Sequence, residues 1–253
     1  MTATRPAAPS DTDAWARPVD RLTTTASTPS IDTVTGRRVA GPVQGFGQMW
    51  QKTFSVRLHG IDITPEALIA HWKQDFGSFW PKGARFYEPL SGIKPGEVAL
   101  LEVPPLPGSP VRMSTGVMII YADAEAFTFM TPQGHPLAAW DTFSAFRDGD
   151  VTVAQAQALE RTADPLTELA YIFGADRYND RFWEETLANL ARSVGMAAPS
   201  VVTEKVCVDR RRQWRYVGNV RFSPAVSMAV GAVTAPLRWL RRRGSSSVSR
   251  RGD

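Results

Sequence analysis

Few side chains in this sequence are of the kinds that do chemistry, and their spacing limits what each can do. His59, His71 and His135 share no metal-ligand spacing: the first ends a strand pattern, the second sits in a helical one and the third in a turn. No metal site is expected from them. His135, in the turn Gly134-His135-Pro136, is the one candidate general acid or base. The serines lack a nucleophile-elbow context, and there is no glycine-rich phosphate loop. The single Cys207 rules out an intramolecular disulfide framework and a cysteine metal cluster. No cofactor is expected. Asp176 and Asp180 lie four residues apart, on one face of a helical stretch, with Arg177 and Arg181 beside them. That spacing fits a solvated ion-pair network. If the face turns inward, it fits an anchor for the polar end of a ligand.

The acidic pair belongs to the longest helical stretch, Pro165 to Val194, around which the chain is organised. Asp164 is a good N-cap, Pro165 suits the first turn, Glu168 suits the positive end, and Gly195 can end the helix. Trp183, Leu187, Leu190 and Val194 form one helical stripe, and Leu166, Leu169 and Phe173 a similar one in front. Gly174 costs about 1 kcal/mol relative to Ala, so the helix is expected to bend or break there.

The elements that would position this helix come before it. Alternating residues predict a strand over Trp50 to His59, with Phe54, Val56 and Leu58 on one face. Thr64 and Pro65 open a helix whose apolar face (Leu68, Ile69, Trp72, Phe76) runs to Trp80. Strands then follow over Ala84 to Leu90, Glu97 to Val103, Val111 to Tyr121, Ala126 to Thr131, Ala138 to Phe146 and Val151 to Arg161, separated by Gly-, Pro- and Asp-rich turns. In the last strand Ala154, Ala156 and Ala158 share a face. Ala has modest strand propensity, so this row either lets the long helix approach closely or borders a cavity.

Composition bounds the rest. The chain has 253 residues, 43% of them hydrophobic, with eight Trp and twelve Phe. One core domain with tails fits this length. Residues 1–44, rich in Thr, Ala, Pro, Ser and Arg, are expected to be a disordered tail, and 244–253 likewise. The domain is expected over 45–195. Residues 196–243 form a basic extension, with a weakly alternating strand at Val201 to Val208 and a run of basic and aromatic residues from Arg210 to Tyr216. From Phe222 to Leu237 there are sixteen residues without a charge. As a helix these reach about 24 Å, short of a bilayer core. Arg238, Trp239, Arg241, Arg242 and Arg243 follow, a pattern that suits either a helix packed on the domain or one lying on an anionic membrane surface. The N-terminus lacks an apolar signal core, so a cytoplasmic location is expected, with a peripheral place at the inner membrane face as the alternative. The net charge of +4 gathers at the C-terminus, which gives no ground for a nucleic-acid-binding core.

One strand, a helix, about six further strands and a long C-terminal helix is an order that resembles the START-like, polyketide-cyclase-like (SRPBCC) helix-grip superfamily. Phe127-Thr128-Phe129, the Gly134-His135-Pro136 turn and the strand after it are similar to those of uncharacterised bacterial members. The resemblance covers about Gly45 to Gly195. It implies an α+β fold in which a curved antiparallel sheet of six to seven strands wraps the long helix and leaves a cavity between them. It implies binding or carriage of a hydrophobic or aromatic small molecule, or a lipid. The alternatives are a cyclase/aromatase-type enzyme using the same pocket and a membrane-surface adaptor using the basic C-terminal helix. No catalytic residue carries over. The expected ligand contacts are Trp72, Phe76, Trp80, Tyr121, Phe127, Phe129, Trp140, Phe173 and Asp176. The first three and the sheet aromatics read first as core residues and second as pocket rim or wall.

Overall fold

The structure is a computed structural model and describes residues 14–17, 21–22, 34, 36–105, 108–109 and 112–227. Eight strands form one antiparallel sheet: β1 (Met49–Arg57), β2 (Arg85–Tyr87), β3 (Val98–Val103), β4 (Met113–Ala122), β5 (Ala126–Met130), β6 (Leu137–Asp148), β7 (Val151–Thr162) and β8 (Val201–Asp209). Their order is β2-β3-β4-β5-β6-β7-β1-β8. β2 to β7 are consecutive neighbours in the sheet, and β1 pairs with β7. The helices are α1 (Pro65–Gln74), α2 (Pro165–Ala170) and α3 (Asp176–Ser193). This is the helix-grip architecture, with eight strands in place of the expected six to seven. The additional strand is β8, which comes from the C-terminal extension and pairs with β1 along nearly its whole length. It covers an edge of unpaired backbone groups that β1 would otherwise expose.

Local chemistry explains the element boundaries. The Thr64 hydroxyl accepts from Ala67 N–H at 3.2 Å and Pro65 occupies the first turn of α1. The Asp164 carboxylate accepts from Leu166 and Thr167 N–H at 2.9 and 3.1 Å, starting α2. The long helical stretch breaks where Gly174 stands. Its φ of +114° is open to glycine and costly for other residues. Residues Tyr171–Ala175 form one wide π turn between α2 and α3.

The inner face of the sheet holds an aromatic core. Trp72 and Phe76 from the α1 region meet Phe127 and Phe143 from β5 and β6 at ring separations of 5.0 to 5.9 Å. Phe182 and Trp183 of α3 join at Trp80 and Phe143. Ala154, Ala156 and Ala158 are all buried on this face. Ala156 and Ala158 adjoin Trp183 and Phe143, so the small row admits bulky rings from its neighbours.

The outer face of β3 and β4 is covered by pieces of the N-terminal stretch. Leu22 and Val34 are fully buried against Leu100 and Met118, and Ala16 N–H donates to Ile120 O at 2.9 Å. Gly116 makes this possible, because a Cβ there would lie 2.7 Å from Val34 Cγ2. The expected disorder of 1–44 thus has a different outcome at these described positions. Isolated apolar residues dock there although the stretch has no period of its own.

Candidate functional site

Antiparallel pairing places cross-strand partners on the same face. One such row runs Phe129 (β5), Asp141 (β6), Ala158 (β7), Lys52 (β1) and Lys205 (β8) across the inner face. Glu160 lies one step further along β7, on the same side as Ala158. Four ionisable groups therefore point toward the core from the sheet. α3 meets them with Asp176 and Asp180 from its first turns.

Lys52 is 1% exposed and holds the cluster together. Its Nζ lies 2.8 Å from Glu160 Oε1, 2.5 Å from Asp176 Oδ1 and 3.0 Å from Asp180 Oδ1. Lys205 Nζ donates to Asp176 Oδ2 at 2.8 Å and pairs with Asp180. Tyr171, in the π turn, presents its ring to Lys52, with 5.6 Å between Nζ and the ring centroid. The acidic pair read from helix spacing is therefore turned inward, toward lysines of the sheet. Burial by itself lowers the pKa of Lys52, but Glu160 and Asp176 outweigh it and hold the ammonium above its ordinary range. The Asp176 carboxyl is raised by burial and lowered further by Lys52 and Lys205, and ends below its usual value.

Beside this cluster lies a cavity of about 250 Å³. The broken helix supplies one wall through Leu166, Ala170, Tyr171, Asn179 and Phe182. The sheet supplies the other through Leu101, Val117, Phe129 and Asp141, and Trp80 and Trp183 fill out the sides. Most of the lining is apolar. Its polar lining includes Asp141, Glu160, Tyr171 and Asn179, with Thr167 and His135. The Asp141 carboxyl and the Tyr171 hydroxyl make no hydrogen bond among the described residues. Burial first, then the nearby Glu160, raise the Asp141 pKa to about 8 against the pull of Lys52. At neutral pH Asp141 is a carboxylic acid with a proton to donate. Burial and the carboxylates Glu160, Asp176, Asp180 and Asp141 push the Tyr171 phenol well up, so it too keeps its proton. Two further donors in cavity-lining residues, Trp80 Nε1 and Asn179 Nδ2, are buried without a hydrogen-bond partner among the described residues.

The expected contact residues separate into four groups. Trp80 and Phe129 line the cavity. Trp72, Phe76 and Phe127 are fully buried in the aromatic core behind it, and Phe76 touches Phe129 at a ring separation of 5.3 Å. Tyr121 and Trp140 are on the outer face, Tyr121 against Trp15 at 4.6 Å and Trp140 beside Gly41. Phe173 is 81% exposed on the π turn, and Asp176 sits in the ion cluster. His135 stands between the main cavity and a second one of about 190 Å³ bordered by Arg38, Tyr216 and Asn219. Its Nδ1 lies 2.9 Å from Leu137 O and 3.0 Å from Leu137 N. Burial lowers its pKa to about 4, so the ring is neutral at physiological pH.

Lys52, Asp141, Glu160, Tyr171 and Lys205 are site residues that the sequence reading did not single out. A signal for three of them was present. Lys52 has the strand parity of Phe54 and Val56, Asp141 that of Phe143, and Glu160 that of the Ala row. A charge on a core-facing parity has to be paired or neutralised. Tyr171 and Lys205 carry no comparable signal.

Among the described residues there is no group of His, Cys, Asp and Glu that would hold a metal ion, and no helix long and apolar enough to cross a membrane. The residues read as membrane-facing, Arg238, Trp239, Arg241, Arg242 and Arg243, lie outside the described residues.

No family model and no curated protein sequence matches the chain. Solved structures with a similar fold include the KanY protein, at 14% identity over 59% of this chain and 99% of that one, with a TM-score of 0.43. The di-domain ARO/CYC StfQ from the steffimycin biosynthetic pathway is similar at 10% identity over 58% of this chain and 50% of its own, with a TM-score of 0.43. The major latex-like protein 151 of Panax ginseng is similar at 11% identity over 59% and 100%, with a TM-score of 0.38.

Proposed function

We propose that this protein binds a hydrophobic or aromatic small molecule in the cavity between the inner face of the sheet and the broken helix. The observation that carries this reading is the cavity's composition. Ring and aliphatic side chains make most of its wall, with a few polar groups, Asp141, Glu160, Tyr171 and Asn179 among them, set into it. Small-molecule sites are built this way, with apolar walls for affinity and a few polar groups for orientation. At about 250 Å³ the space suits a ligand of two or three fused rings or a short branched chain better than an extended lipid. Lipid carriage is the less favoured form of the proposal for that reason.

A second reading, an enzyme using the same pocket, is favoured by one observation. Asp141 retains a proton near neutral pH beside a cavity, which is what a general acid requires. His135, neutral and bonded to backbone, is less suited to that role.

Native mass spectrometry of the purified chain, before and after exposure to a library of apolar aromatic compounds, tests the binding reading. One apolar molecule bound per chain is the expected result. An unchanged mass across the library, at concentrations up to each compound's solubility, would overturn it.

A further inference from the structure

The inference below rests on the binding reading and concerns what the ligand carries at its inner end. We infer that the cavity selects a neutral apolar molecule bearing a hydrogen-bond-accepting oxygen, such as a ketone or quinone carbonyl, and rejects carboxylates. The grouping that assigns this is the acidic side of the cavity.

The ionisable groups of this cluster come from the sheet, α3 and the π turn. From the sheet come Asp141, Glu160, Lys52 and, beyond it, Lys205. From α3 come Asp176 and Asp180, and from the π turn Tyr171. His135 is neutral and held by the Leu137 backbone. The two lysines are fully engaged by Glu160, Asp176 and Asp180. Three carboxylates against two ammonium groups leave the cluster with one negative charge in excess before any ligand arrives. A ligand carboxylate would add to that charge in a place shielded from water, where repulsion is strong. It would also find no cation free among these groups.

The groups without partners are donors. The Asp141 carboxyl and Tyr171 hydroxyl face the cavity with no protein acceptor among the described residues. Trp80 Nε1 and Asn179 Nδ2 lie unpaired in its wall. A site with unpaired buried donors discriminates strongly for a ligand that accepts from them and against one that cannot. A carbonyl oxygen can accept from such donors, which a hydrocarbon cannot. An ammonium ligand would satisfy the charge, but it must be stripped of water in a mostly apolar cavity, which is costly.

The test compares four compounds of one shape: naphthalene, 1-acetonaphthone, 1-naphthoate and 1-naphthylmethylammonium. Binding to the full chain is measured by isothermal titration calorimetry or tryptophan quenching at pH 6.5. The ketone is expected to bind at least about tenfold tighter than naphthalene, and the carboxylate more weakly than either. Asp141→Leu is expected to remove the ketone's advantage over naphthalene. Asp141→Asn, which keeps a donor, is expected to retain part of it. Circular dichroism confirms that each variant folds. Naphthalene binding with a flat ranking across the series, or the carboxylate or ammonium as the tightest ligand, would overturn the inference and leave the binding reading standing. Absence of binding by all four would overturn both.

Discussion

Replacing Lys52 by Met should be among the most damaging single changes in this protein, although Met is nearly its length and the site is walled by apolar groups. The reason is what remains. Glu160 is 4% exposed at its side chain and has Lys52 as its only ion-pair partner among the described residues. Asp180, at 12%, keeps Lys205, and Asp176, at 36%, keeps Lys205 and some solvent. The loss therefore concentrates on one buried carboxylate and part of a second. Stranding a buried charge in this way costs about 3–5 kcal/mol. For a domain of this size that is roughly a 6–20 °C fall in Tm. Urea denaturation at pH 6.5, followed by tryptophan fluorescence, measures it. The double variant Lys52→Met with Glu160→Met should recover much of the loss, because an apolar pair replaces an ion pair without leaving a charge behind. A single-variant cost below about 1 kcal/mol, or a double variant that loses the sum of both changes, would refute the claim that Lys52 neutralises this end of the fold.

Other outcomes follow from the same geometry. Asp141 is raised from 3.8 to about 8, so the folded state holds a proton that the unfolded chain releases above about pH 4. The Asp141 contribution to stability should fall as pH rises from about 4 through 8, by up to about 5 kcal/mol in total, and is offset between about pH 4 and 6.5 by His135, whose lowered pKa works in the other direction; Asp141→Asn should remove the fall between pH 7 and 9 in denaturation curves taken at pH 5, 7 and 9. Gly116→Val should place a side chain where Val34 packs, and hydrogen exchange should show lost protection at Ala16 and Leu22 with the aromatic core unaffected. Gly174→Ala forces a residue with a Cβ into φ of +114°, so it should cost about 1–3 kcal/mol in the same urea assay; an unchanged or raised stability would show that the helix break does not depend on glycine.

How much of this was legible in the sequence differs from element to element. The strands from Trp50 to Arg161 and the first helix were readable because one face of each is apolar at the right period. The break at Gly174 was readable from glycine's cost in a helix. β8 was visible only as a weak alternation, because Val201, Thr203, Lys205 and Cys207 face the neighbouring sheet row without forming an apolar stripe. The docking of Leu22 and Val34 was not readable, since single apolar residues in a Thr- and Pro-rich stretch acquire a partner only when β3 and β4 are in place. The same holds for the site. Aromatics were expected to form the pocket, but periodicity cannot tell a ring that lines a cavity, such as Phe129, from one that fills the core, such as Phe127 two residues earlier. Phe173 falls on the apolar stripe of Leu166 and Leu169 in the sequence, but that stripe is exposed, and Phe173 on the π turn is its most exposed member. The charged cluster depended on register: Lys52, Ala158 and Asp141 share a row only once three strands are aligned.

The most direct test of the central claim is a titration of the full chain with 1-acetonaphthone alongside Val117→Trp. Val117 is buried in the sheet wall of the cavity, and an indole there would occupy the space a ligand needs. Saturable binding of one molecule per chain is expected for the natural sequence and its loss in the variant, with circular dichroism showing both to be folded. Equal binding by the two proteins would contradict it, as would no saturable binding by the natural sequence to this probe.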